Sequence, residues 1–209
     1  MSNEFFKRIL SSIILLPLVF YFIISGSFIT IFFIITCFVI ACYEWNKMSK
    51  NMSNKIFGFI FLLFSFYSFY YLSMELFLLG FVIIICIATD LGGYFFGKIF
   101  KGPKLTIISP NKTYAGMFGG YLLSLISLLT IINFIENPVS SFKLFITTIF
   151  LSTVSQVGDI IVSYFKRQAG VKNTGNLIPG HGGLLDRIDG MIFAVPTLYL
   201  IEITGFLII

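Results

Sequence analysis

The four aspartates of the chain are the side chains best suited to carry chemistry. Asp186 and Asp189 are three residues apart, which places both carboxylates on one face of a helix. Asp159 lies within an apolar run, where a carboxylate costs about 2.5–3.5 kcal/mol to insert and so needs a partner or a cavity. Asp90 ends an earlier apolar run. Because carboxylate oxygens suit Mg²⁺, these residues predict a Mg²⁺ site, although Asp186 and Asp189 taken alone would also suit a helix N-terminus.

The segment 109–113 has the composition of a phosphate-binding site. It places Ser109, Lys112 and Thr113 at the start of an apolar run that is long enough to be a helix. A helix N-terminus presents unpaired N–H groups and a positive dipole, and a lysine there adds a full charge. The alternative reading is an ordinary helix cap beside a lysine at the membrane surface.

A second basic segment lies nearer the C-terminus and is rich in glycine. Gly182 and Gly183 let the backbone approach a ligand closely. The adjacent His181 is the only histidine, which excludes a metal site built from several histidines. Lys166 and Arg167 would bind phosphate groups, or would simply anchor a helix at the cytoplasmic membrane surface. Carboxylates, lysines and a helix N-terminus together indicate phosphoryl or nucleotidyl transfer.

The composition decides the class of protein that must position these residues. Of the 209 residues, 57% are hydrophobic and 11% are charged, whereas ordinary soluble domains carry about 25% charged residues. A water-soluble enzyme, a secreted disulfide scaffold and a disordered chain are therefore excluded. Nucleic-acid binding is disfavoured because the basic residues are spread among apolar runs. The three cysteines lie within apolar runs, and their spacing matches no metal motif.

The distribution of charge predicts a topology. The apolar runs are approximately 9–25, 27–43, 56–73, 76–90, 114–135, 142–164 and 190–209. With a cytoplasmic N-terminus, every Lys and Arg except Lys143 falls on the cytoplasmic side, as the positive-inside rule requires. The first run contains Pro17, lacks a small-residue cleavage site and continues into the second run, so we expect an uncleaved anchor. The sequence thus predicts an all-α, polytopic integral membrane protein with about seven transmembrane helices and a cytoplasmic N-terminus.

Two regions are expected within this topology. Residues 1–75 would form N-terminal anchor helices that carry little chemistry. Residues 76–209 would form the catalytic transmembrane region, with cytoplasmic loops 91–113 and 165–189.

Four motifs closely resemble those of one enzyme family. Residues 163–189 read SYFKRQAGVKNTGNLIPGHGGLLDRID and are similar to the S-x-x-K-R, P-x-H-G-G and D-R-x-D elements of phosphatidate cytidylyltransferases, also called CDP-diacylglycerol synthases. The family's Q-x-G-D, D-x-x-x-Y-x-x-G and S-P-x-K-T elements resemble residues 156–159, 90–97 and 109–113. Two positions depart from the family pattern: Asn173 replaces an aspartate, and Ala115 replaces a glutamate or glutamine.

The resemblance implies a membrane nucleotidyltransferase of phospholipid biosynthesis. Such an enzyme transfers CMP from CTP to phosphatidic acid and gives CDP-diacylglycerol and pyrophosphate. It implies a bacterial cytoplasmic (inner) membrane location, an active site facing the cytoplasm and Mg²⁺ as cofactor. The expected partners are CTP, phosphatidic acid of the inner leaflet and membrane lipids, without nucleic acid and with a homodimer allowed.

The resemblance also assigns roles to individual residues. The residues expected to be catalytic are Asp159, Lys166, Arg167, Asp186 and Asp189, of which the three aspartates would bind the metal. The residues expected to bind substrate are Asp90, Ser109, Lys112, Thr113, Lys172, His181, Gly182, Gly183 and Arg187.

Other functions remain open at this stage. A different CTP-using lipid enzyme, such as a polyprenol kinase, would use similar residues. A transporter for an anionic solute would need polar residues through the bilayer midplane, whereas here they cluster at one face. The departures at Asn173 and Ala115 leave room for a catalytically silent family member.

Overall fold

A computed structural model describes residues 21–22, 27–133, 141–177 and 182–206. Its five long helices are α1 (Ser27–Met48), α2 (Met52–Ser73), α3 (Leu76–Phe100), α4 (Tyr114–Ile132) and α5 (Ser141–Gln168). A single turn, α6 (Leu185–Ile188), precedes the shorter apolar helix α7 (Met191–Ile203). The long helices have 19 to 28 residues, enough at 1.5 Å per residue to cross most or all of a hydrocarbon core of about 30 Å.

This architecture confirms the prediction of an all-α, polytopic membrane protein. In the part of the chain that the structure describes, five helices are long and apolar enough to cross a membrane, and each corresponds to a predicted apolar run. The last predicted span is present as the 13-residue helix α7. Most of the first predicted run lies outside the described residues. The cytoplasmic location of the N-terminus stays a prediction.

The helix α3 is longer than its apolar run predicts. Asp90 was expected to end this helix, but α3 continues for ten residues beyond it. The helix ends where Lys101 and Gly102 adopt positive φ angles of 52° and 94°, immediately before Pro103. Residues 91–100 remain helical because they contain no proline and are rich in aromatic and aliphatic side chains. The predicted loop 91–113 is therefore shortened to 101–113.

Two compact units make up the chain. The first comprises Met1–Met74 and Phe165–Ile188, and the second comprises Glu75–Tyr164 and Asp189–Ile209. Within the first unit α1 packs against α2, and α6 contacts α1. Within the second unit α3 packs against α4 and α7.

Glycine residues bring α3 and α4 together. A Cβ atom on Gly92 would overlap the carbonyl oxygen of Gly119, and one on Gly116 would lie 2.7 Å from the carbonyl oxygen of Gly93. The two backbones are thus in direct contact, as small residues at a helix–helix interface allow. This close packing fixes the start of α4 against α3.

Candidate active site

A buried ion pair lies in the first unit, within the motif-bearing segment 163–189. Lys166, in the last turn of α5, places its Nζ atom 3.0 Å from Oδ1 of Asp186, in α6. The two side chains are only 10% and 7% exposed. Water therefore screens this attraction poorly, and loss of either partner would leave the other charge without compensation.

The second oxygen of Asp186 is also occupied. Its Oδ2 atom accepts hydrogen bonds from the backbone N–H groups of Thr174, at 2.7 Å, and Gly183, at 2.9 Å. Gly182 has a φ of +90°, and a Cβ there would lie 2.6 Å from the same Oδ2 atom. Position 182 therefore requires glycine for two reasons: the positive φ disfavours other residues, and there is no space for a side chain. Asp186 holds the surrounding loop in place as well as pairing with Lys166.

A second ion pair lies within the second unit. The Lys112 ammonium group contacts the Asp159 carboxylate, and both side chains are half-buried. Ser163, one turn after Asp159 on α5, lies within hydrogen-bond distance of Asp159 Oδ1, at 3.3 Å. This arrangement brings together one predicted phosphate-binding residue and one predicted metal ligand.

Thr113 caps α4 beside this pair. Its side-chain oxygen accepts a hydrogen bond from the backbone N–H of Gly116, at 3.1 Å. The loop before it folds back on itself, because Leu105 N–H donates to the Lys112 carbonyl and Tyr114 N–H donates to the Pro103 carbonyl. The expected helix start at 113 is therefore present, and the loop backbone sets the position of Lys112.

Several other residues that the sequence predicts for the site are more exposed to solvent. Arg167, Lys172 and Arg187 are exposed, and Arg167 donates to the Val171 carbonyl at 3.2 Å. Asp90 is exposed on α3.

Ser109 and Asp189 are half-buried. The carbonyl of Ser109 accepts from Lys112 N–H at 3.0 Å, and Asp189 Oδ1 accepts from Gly190 N–H at the same distance. His181 lies outside the described residues.

The sequence of this chain matches a known family over most of its length. The model of the cytidylyltransferase family matches residues 56–204, more than half of the 209 residues. The chain belongs to the cytidylyltransferase family.

Relatives of this chain carry a more specific name. This chain is 43% identical over 124 residues to the phosphatidate cytidylyltransferase of Staphylococcus saprophyticus, and the match covers 59% of this chain and 48% of the relative. It is 44% identical over 116 residues to the enzyme of the same name from Staphylococcus aureus strain COL, covering 55% and 45%. This chain thus spans about half the length of the relatives that it matches.

The carboxylates of Asp159 and Asp186 are engaged with protein groups. Within each unit, the described residues bring no three His, Cys, Asp or Glu side chains together in a metal-binding arrangement. Asp186 has protein donors at both oxygens, and Asp159 pairs with Lys112. The Mg²⁺ site predicted from the sequence stays a prediction.

Sequence reasoning missed Glu44, which lies near the end of α1. Its carboxylate is 3% exposed and accepts hydrogen bonds from the Thr174 hydroxyl and from the backbone N–H groups of Leu184 and Leu185. One signal was available: Glu44 is the only acidic residue between Glu4 and Glu75, in a strongly apolar part of the chain.

Proposed function

We propose that this protein is a phosphatidate cytidylyltransferase, which transfers CMP from CTP to phosphatidic acid. An oxygen of the lipid phosphate attacks the α-phosphorus of CTP. A new P–O bond forms, the bond from the α-phosphorus to the β-phosphate oxygen breaks, and pyrophosphate leaves. The products are CDP-diacylglycerol and pyrophosphate. The names of the Staphylococcus relatives and the family motifs support this choice of substrates.

The observation that carries the proposal is the Lys166–Asp186 ion pair. Both residues belong to the segment that resembles the phosphatidate cytidylyltransferase signature, and the fold brings them together across 20 residues of sequence. A lysine that a carboxylate already holds in place loses little further entropy when a phosphate approaches. This favours chemistry on phosphate groups over a purely structural loop.

Electrostatics dominates the proposed catalysis. The lipid phosphate is already anionic near neutral pH, so its attack needs little help from a general base. The larger difficulty is to bring two polyanions together. Within the first unit, Lys166 and Arg167 would neutralise phosphate charge, and Lys172 and Arg187 would extend this field. Within the second unit, Lys112 would neutralise phosphate charge and Thr113 would fix the start of α4.

Mg²⁺ is part of the proposal, and the donor chemistry fits it. Mg²⁺ prefers carboxylate oxygens and usually takes only one or two protein carboxylates together with water and substrate phosphates. Asp159 and Asp189 would be the main ligands, because the Asp186 side chain is only 7% exposed, whereas Asp159 and Asp189 are half-buried and more accessible to an ion. When bound, the ion would neutralise the pyrophosphate leaving group.

We place the enzyme in the bacterial cytoplasmic membrane with its active site facing the cytoplasm. The bacterial relatives and the positive-inside distribution of lysine and arginine support this orientation. CTP would then reach the site from the cytoplasm and phosphatidic acid from the inner leaflet. The proposal is compatible with a homodimer.

The direct test uses the purified full chain in detergent with CTP, phosphatidic acid and MgCl₂. We expect formation of CDP-diacylglycerol that stops on addition of EDTA and resumes with excess MgCl₂. Asp186→Asn should lose most of the turnover, whereas Glu75→Gln, at an exposed carboxylate outside the site, should retain it. No product from well-folded protein would contradict the proposed activity, and full activity in EDTA would contradict the metal requirement.

A further inference from the structure

Glu44 stands apart from the acidic residues of the family motifs. It belongs to α1, yet its hydrogen-bond partners lie 130 to 141 residues later in the sequence. Oε1 accepts from Leu184 N–H at 2.9 Å, and Oε2 accepts from Leu185 N–H at 2.9 Å and from the Thr174 hydroxyl at 2.8 Å. In the sequence, Thr174 precedes the glycine-rich segment that leads to Asp186, and Leu184 and Leu185 follow it.

A buried carboxylate is costly unless its charge is compensated. Among the described residues, Glu44 forms no ion pair, so the three hydrogen-bond donors provide its compensation. The arrangement is also tight, because a Cβ atom on Gly183 would overlap both the Glu44 carboxylate and the Thr174 hydroxyl. The loop therefore fits closely around this one side chain.

The Thr174 hydroxyl connects Glu44 to the candidate active site. Its Oγ1 atom lies 2.8 Å from Glu44 Oε2 and 3.1 Å from Asp186 Oδ2, while its backbone N–H donates to the same Asp186 oxygen. Asp186 in turn pairs with Lys166. A displacement of the loop away from Glu44 would thus move the Lys166–Asp186 pair.

We infer that Glu44 is a positioning residue, which holds Thr174 and residues 183–186 so that Asp186 and Lys166 are in place before substrate binds. The role in turnover rests on the proposed function, whereas the holding of the loop does not. Without Glu44, substrate binding would have to order the loop, so the apparent affinity for CTP would fall more than the rate at saturation.

Glu44→Gln is the sharpest variant because it keeps the size of the side chain. Each Glu44 oxygen accepts from a backbone N–H, so either orientation of the amide would place its NH₂ group against a donor. Glu44→Asp keeps the charge on a shorter side chain. Thr174→Val removes the hydroxyl at similar size, and Thr174→Ser keeps it. Glu75→Gln is the matched control at an exposed carboxylate.

Amide hydrogen exchange, followed by mass spectrometry, measures how firmly the loop is held in place. This measurement does not depend on enzyme activity. In Glu44→Gln and Thr174→Val, we expect the amides of residues 174–177 and 182–187 to exchange about tenfold faster or more. In the first variant a buried backbone N–H loses its acceptor, and in the second the buried Glu44 carboxylate loses the hydroxyl donor that links it to Thr174. Glu44→Asp should be intermediate, while Thr174→Ser and Glu75→Gln should match the parent. Unchanged exchange in Glu44→Gln would overturn the inference.

Steady-state kinetics tests the consequence for turnover. The KM for CTP should rise about tenfold in Glu44→Gln, with a smaller change in kcat. A fall in kcat at constant KM, or unchanged kinetics beside faster exchange, would overturn the positioning role. If the parent protein itself forms no product, the proposed function fails, and hydrogen exchange alone decides whether Glu44 holds the loop.

Discussion

Lys166 Nζ and Asp186 Oδ1 lie 3.0 Å apart, although 20 residues separate them in sequence. The pair connects the last turn of α5 to α6 and so closes the loop between them. Because both side chains are largely buried, the pair must be kept or removed as a unit. The first prediction follows from this dependence.

Replacing Lys166 with Met should destabilise the protein by about 3–5 kcal/mol, because Asp186 would keep a buried charge without its partner. The double variant Lys166→Met/Asp186→Asn should recover part of this loss, since the charge is gone and the amide oxygen can still accept from Thr174 or Gly183. Thermal unfolding in detergent measures the stability. Neither variant should form CDP-diacylglycerol. A double variant that is less stable than Lys166→Met would contradict the argument.

Lys112 should matter for turnover and hardly at all for stability. Its ion pair with Asp159 is half-buried but still reached by water, with side chains 23% and 29% exposed, and ion pairs that water screens contribute about 1 kcal/mol or less. Lys112→Ala should therefore unfold near the parental temperature, yet lose at least about tenfold in kcat/KM as a phosphate-neutralising charge disappears. Lys104→Ala, an exposed lysine of the same loop, is the control for net charge. Equal losses in the two variants would argue against a specific role for Lys112.

Alanine variants of two glycines with positive φ, Gly170 and Gly182, distinguish the effect of backbone strain from the effect of contact with Asp186. Gly170 has a φ of +75° with open space around its would-be Cβ, whereas a Cβ on Gly182 would lie 2.6 Å from Asp186 Oδ2. Both alanine variants should cost about 1–2 kcal/mol from strain. Only Gly182→Ala should also lose most CDP-diacylglycerol formation, because Asp186 must move. The prediction is wrong if Gly170→Ala impairs turnover as strongly.

The packing of α3 against α4 offers a second matched pair. Gly92→Ala should destabilise the protein by about 1–3 kcal/mol, since the added methyl group would overlap the backbone of α4. Gly80, on the same helix, has nothing within 4 Å of its would-be Cβ. Gly80→Ala should leave stability unchanged or raise it by up to about 1 kcal/mol through helix propensity. Thermal unfolding of both variants checks this, and equal melting temperatures would contradict it.

Local patterns were sufficient to predict the helices. Apolar runs of membrane-spanning length located α1 to α5, and the Thr113 side chain caps α4 where the sequence indicates a helix start. The end of α3 was misplaced at Asp90 because a single charged residue does not end a helix. The signal that does end it is the backbone turn at Lys101 and Gly102 before Pro103.

The pairing of residues that are distant in sequence could not be predicted from the sequence patterns. The sequence identified Lys112, Asp159, Lys166 and Asp186 as candidates from residue type and motif, but spacing alone could not say which cation meets which carboxylate. Glu44 was missed for the same reason, because its three donors come from a segment far along the chain. Hydrophobic periodicity carries no information on such contacts, since they depend on how the loop returns to α1.

The glycine contact between α3 and α4 also limits where a lipid can lie. Backbone meets backbone at Gly92 and Gly119, so a hydrocarbon tail cannot pass between the two helices at this level. Tyr94 and Phe95 on α3 are, in contrast, largely exposed and present an aromatic surface. The fatty-acid chains of a diacyl substrate would therefore have to pass outside the α3–α4 contact at the level of Gly92.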